Sequence, residues 1–137
     1  MLFRSLSSVR TGIKNAILAK SFTCLDDLPA NVNTANLPLA WFGLERLSAS
    51  WRGLSVMWTS VWFIDVIATP VAQKIRPEQR VILESAIQTV MEGLIEDPTL
   101  GGSADHIETC SSGGMQTIQV ADVMYLGSRI TLEVINK

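Results

Sequence analysis

Apolar residues recur near the start of the chain at Leu2, Leu6, Val9, Ile13 and Ile17, a helical spacing that lays them along one stripe. A first helix is expected over residues 1–22. The next tract, TCLDDLPANVNTANLPLAWFGLERLSASWRG at 23–53, mixes turn formers with one short apolar patch at 37–44. It reads as a loop-rich stretch carrying a short strand. The run VMWTSVWFIDVIATPVA, residues 56–72, is the most apolar in the chain and holds a single charge, Asp65. Its β-branched and aromatic residues are strand formers. At period two, Trp58, Ser60, Trp62, Ile64, Val66 and Ala68 share one face, and Met57, Thr59, Val61, Phe63, Asp65 and Ile67 share the other. Both faces are apolar, so a long strand over 54–72 needs cover on both sides. Pro77 and Glu78 suit the opening of a helix over 77–96, whose Leu83, Ala86, Ile87, Val90, Met91 and Leu94 line one side. Pro98 and the glycines of EDPTLGG end it. Three extended segments follow at 106–110, 115–123 and 129–135, placing the C-terminal strands within 104–137.

These elements predict a single small domain over residues 1–137 of α/β (α+β) class. Its mostly antiparallel sheet of about four strands carries two helices on one face, in the order helix, strand, strand, helix, strand, strand. Two helices cover one side only. A neighbouring copy is the economical cover for the other, which makes Trp41, Trp51, Trp58 and Trp62 candidate subunit-interface residues.

Composition supports hidden surface: 47% of residues are hydrophobic and 18% charged, while the net charge of −2 supplies no global field for holding nucleic acid. A membrane span is a second home for that surplus. Spans take about 20 apolar residues, and an Asp near the centre costs about 2.5–3.5 kcal/mol; residues 54–72 barely reach the length and contain Asp65. The N-terminus carries Arg4, Arg10, Lys14 and Lys20 with no acid before Asp26, also the composition of a mitochondrial transit peptide. A mitochondrial inner-membrane protein, with residues 1–22 as leader and 54–72 as span, therefore stands as the alternative.

Chemistry is sparse. His106 is the only histidine, with Asp105 and Glu108 beside it, and on an alternating strand only His106 and Glu108 share a face. Cys24 and Cys110 form no metal-ligand or disulfide pattern. TLGGS at 99–103 follows a helix where a phosphate loop would precede one, and reads as a helix C-cap. No catalytic, cofactor or metal site is expected, although a small-ligand or enzymatic domain built on His106, Glu108 and the cysteines is a further alternative.

The helix PEQRVILESAIQTVMEGLIEDPTLGG at 77–102, running into an extended segment and closing with VMYLGSRITLEVI at 123–135, resembles the C-terminal half of the tail terminator proteins of long-tailed bacteriophages. The DPTLGG closure at 97–102 carries most of the likeness. The resemblance implies a small α/β domain whose copies form a ring, commonly a hexamer, on the head-proximal end of the tail tube. Such a ring stops tube polymerisation and offers the surface for head joining. It also implies a virion location, preceded by the host cytoplasm. The implied partners are other copies of the chain, the tail-tube protein and a head-completion or connector protein, with DNA passing through the lumen unbound, no membrane and no enzymatic activity. Another phage neck or connector protein is a further alternative. Nothing in residues 23–53 matches the family.

Overall fold

The computed structural model describes residues 5–71 and 74–137. The first helix, α1 (Leu6–Leu18), is capped by Ser5, whose Oγ accepts from the Ser8 N–H at 3.1 Å. It buries Val9, Ile13, Ala16 and Ile17 as its spacing requires. Leu2 and Arg4 lie outside the described residues. A left-handed residue, Ser21 at φ 58°, turns the chain into a three-residue strand, β1 (Thr23–Leu25).

The sheet has six strands, not about four, and the order is helix, three strands, helix, three strands: the 23–53 tract adds β1, and the three extended segments of 104–137 each form a separate strand. After β1 and a 3₁₀ turn (Thr34–Asn36), β2 runs from Leu39 to Arg52 and β3 from Ser55 to Pro70. They form one hairpin, registered from Leu39 opposite Ile67 to Arg52 opposite Ser55, with a bulge between Leu44 and Arg46. Gly53, at φ 66°, takes the first place in the two-residue loop, where a left-handed φ lets the strands fold back. The stretch beyond Leu44, expected as loop, is thus strand. Ala72, the last residue of the apolar run, is outside the described residues. The helix α2 (Pro77–Ile95) follows, tied to the end of β3 by Gln79, which accepts from the Arg76 N–H at 2.9 Å and donates to the Pro70 carbonyl at 3.1 Å.

The last strands are β4 (His106–Ser112), β5 (Gln116–Val120) and β6 (Val123–Asn136). The sheet order is β1-β2-β3-β6-β4. Since β3 pairs with β6 along its length, β4 and β5 lie end to end on the other edge of β6. Every ladder is antiparallel except β1 on β2.

Both helices pack on one face, where Val9, Ile13, Ile17, Ala86, Val90 and Leu94 meet Ala40, Phe42, Trp62, Ile64, Val66, Ile130, Leu132 and Val134. The DPTLGG turn is part of this core. Leu100, at φ 50° and 1% exposed, plugs it from the end of α2, while the Asp97 carboxylate accepts from the Gly101 N–H at 3.0 Å. The other face does not wait for a neighbouring copy. The 23–38 tract and β5 fold back over its near half, closing a second cluster of Leu39, Trp41, Ile67, Val120 and Tyr125 with Leu25, Val32, Leu37 and Ile118. Asp65 sits on that face, 4% exposed, and takes two hydrogen bonds from its cross-strand partner Arg129, at 2.8 and 3.0 Å. The Arg129 guanidinium lies 4.5 Å from the Phe63 ring centroid. Its pKa is raised, first by the hydrogen bonds to Asp65. The single charge in the apolar run is therefore an internal ion-pair partner in a central strand. Among the described residues, no helix is long and apolar enough to cross a membrane.

Candidate subunit interface

On the far half of the β2–β3 hairpin it is β2 that stands clear of both cores, while Ser60 and Val61 of β3 stay buried. Every β2 residue from Leu44 to Arg52 is exposed, and β6 stops at Asn136, opposite Trp58. Register places Leu44, Leu47, Ala49 and Trp51 opposite Trp62, Ser60, Trp58 and Val56 on the helix-side face. The stripe that is core at Trp62 thus continues outward as surface, with Leu44 36%, Leu47 40%, Trp51 72% and Leu54 at the turn fully exposed. Arg46, Ser48, Ser50 and Arg52 occupy the opposite face of this arm. A contiguous apolar stripe on an uncovered part of the sheet, two-stranded only beyond Trp58, is costly in water and is characteristic of an interaction surface.

A second apolar surface lies at the opposite edge of the sheet. Ile87, Met91 and Ile95 of α2 border a groove rimmed by Glu84, Gln88 and Glu92. It continues past Ile95 to Pro98, Ile107 and Cys110 beside β4, with Glu108 on its margin. Ile95 is 61% exposed. The outer edge of β4 is unpaired in the sheet order, and a bulge between Ile107 and Thr109 breaks its regularity, a common protection for an exposed strand edge.

The four tryptophans divide between these environments. Trp41 and Trp62 are 3% and 1% exposed, inside the subunit and out of reach of a neighbour. Trp62 donates its indole N–H to Ser60 Oγ at 2.9 Å. Trp51 and half-buried Trp58 lie on the arm. The sequence singles out none of Leu44, Leu47 and Leu54 on the arm or Ile95 and Ile107 at the groove, and Met91, expected on the apolar side of α2, also borders the groove.

No protein-family model matches the chain, and no curated protein matches it.

The remaining chemical candidates stay separate from one another. His106 Nε2 and Glu108 Oε2 are 2.9 Å apart, a strand-edge pair with both side chains about half exposed. Among the described residues, no three His, Cys, Asp or Glu side chains gather as a metal site. Cys24 is buried beneath α1 and Cys110 sits at the groove, both as free thiols. Burial pushes the Cys24 thiol up to about 11 and raises that of Cys110. A thiol held protonated is a poor nucleophile.

Proposed function

We propose that this protein is a structural component of a phage virion that assembles as a homo-oligomeric ring, a hexamer by family resemblance, on the head-proximal end of the tail tube. There it halts tube growth and presents the surface on which the head is joined. One observation carries the self-association: an apolar arm on one edge of the subunit and an apolar groove on the other, neither covered by another element among the described residues. Different patches at opposite edges favour head-to-tail contact, the geometry that closes a ring when the rotation per subunit divides the circle. The DPTLGG likeness supplies the tail assignment. Its residues act here by closing α2 and plugging the core, a scaffold role in keeping with a protein whose work is assembly. The proposed partners are the tail-tube protein and a head-completion or connector protein. A net charge of −2 suits a lumen through which DNA passes without being gripped.

The membrane alternative loses its span, since the apolar run forms a central strand paired on both sides. The test mixes purified protein with tail-tube subunits and measures tube length by electron microscopy. Short tubes carrying this protein at one end are expected. Decoration along the tube, or no binding to it, would remove the tail assignment.

A further inference from the structure

We infer that the contact between copies is made by the β2–β3 arm of one subunit lying in the α2/β4 groove of the next; this rests on the ring assembly proposed above. The occupant of the groove is therefore a second copy of this chain. Three features match. Both surfaces are apolar at their centres, with Leu44, Leu47, Trp51 and Leu54 on the arm and Met91, Ile95 and Ile107 in the groove. The charges around them differ in sign: Arg46 and Arg52 stand on the back of the arm, Arg46 with Glu45 beside it, whereas Glu84, Glu92 and Glu108 rim the groove. Neither arginine makes an ion pair among the described residues. Finally, β2 and β4 lie toward opposite edges of the sheet, so a subunit cannot fill its own groove and each copy offers one of each surface. A central aromatic in an apolar seat with charges at the rim is the usual anatomy of a protein interface, the charges setting register and partner choice.

The contact is tested with Trp51→Asp on the arm and Ile95→Asp in the groove, both at exposed positions where folding is spared; an unchanged melting temperature checks this. Oligomeric state is read by light scattering and native mass spectrometry. Each variant alone should weaken self-association by about 30-fold or more. Mixed together, they should form one-to-one pairs and nothing larger, because only one intact arm and one intact groove remain between two partners. As a second measurement, Arg52→Glu and Glu92→Arg should each weaken assembly, and the double variant should recover most of it. Higher salt should loosen the wild-type contact. A wild-type protein that stays monomeric up to about 1 mM, or assembly insensitive to Ile95→Asp, overturns the inference. Rings that form with these sensitivities yet ignore tail tubes leave the contact standing and remove only the tail assignment.

Discussion

Replacing Trp62 by alanine separates core from interface at the position where the two meet. The indole is 1% exposed, its ring centroid lies 6.3 Å from that of Phe42 at 48°, and the Arg10 guanidinium sits 5.5 Å from it. A buried tryptophan removes about 150–250 Å² from water, which at ~25 cal/mol per Å² is about 4–6 kcal/mol. Measured losses for such truncations run at about 3–5 kcal/mol. Ser60, 3% exposed, also loses the indole N–H that its hydroxyl accepts, although a hole of that size beside a hydroxyl admits water and softens the second penalty. A loss of about 4 kcal/mol is expected, or a fall in melting temperature of about 12–16 °C at ~3–4 °C per kcal/mol for a chain of this size. Trp51→Ala, at 72% exposure, should cost under about 0.5 kcal/mol while weakening assembly. Scanning calorimetry and urea unfolding of dilute protein provide the comparison. Equal losses for the two variants, or a Trp62→Ala loss under about 1 kcal/mol, would refute the assignment of Trp62 to the core and Trp51 to the surface.

Asp65→Asn keeps the shape of the buried carboxylate but removes its charge; because the Arg129 side chain is 48% exposed and can turn to water, a cost of about 1–2 kcal/mol is expected in urea unfolding. Gly12→Ala drives a methyl group into the Leu100 backbone carbonyl and to 2.8 Å from Ser103 Oγ, so it should cost about 1–3 kcal/mol by displacing the DPTLGG turn from α1; a neutral result would mean that the turn is not fixed there. Cys24 has a thiol pKa raised from 9.0 to about 11, chiefly by burial. The protonated form that the fold favours contributes stability fully below pH 9.0, and that contribution is lost as pH rises toward about 11. Cys24→Ser should flatten the alkaline fall in melting temperature over that window, and a thiol reagent at neutral pH should modify Cys110 well before Cys24.

Much of this fold follows from periodicity. Both helices are legible because their apolar residues keep a helical spacing, and the ends of the second carry Pro77 and Pro98; the Ser5 cap of the first falls inside the 1–22 stretch expected as helix. The central strand is legible because residues 56–67 are apolar on both faces. The β2 arm was also written in the chain: Leu47, Ala49 and Trp51 alternate with Arg46, Ser48, Ser50 and Arg52 and then meet Gly53-Leu54, a hairpin signature. Its serines and its position after a Pro- and Asn-rich tract made it read as loop. What a single sequence lacks is pairing. The Arg129 partner of Asp65 lies 64 positions away, and the return of the 23–38 tract over Trp41 depends on a parallel bridge of three residues. Trp41, Trp51, Trp58 and Trp62 look alike in the sequence because strand alternation gives a residue's side of the sheet but not what lies above it.

The surplus apolar surface follows from a mismatch of lengths. With 13 and 19 residues, the two helices are about 20 and 28 Å long, whereas β2 and β3, with 14 and 16 residues, extend about 46 and 53 Å. A helix layer of that size cannot roof the hairpin along its whole length. At the boundary, Arg10 lies over both Phe42 and Trp62. Beyond it, a monomeric protein would be expected to switch the roofed face to polar residues, as it does on the opposite face with Arg46, Ser48, Ser50 and Arg52. Instead the stripe continues through Leu44, Leu47, Ala49 and Trp51 to Leu54 at the tip. Shortening the arm would remove that exposure without touching either core, so its persistence with apolar residues on one face and arginines on the other is best accounted for by a roof that another molecule brings. The acid-rimmed groove beside α2 has the complementary character. On the assembly proposed above, a subunit that carries both would be completed by its own copies.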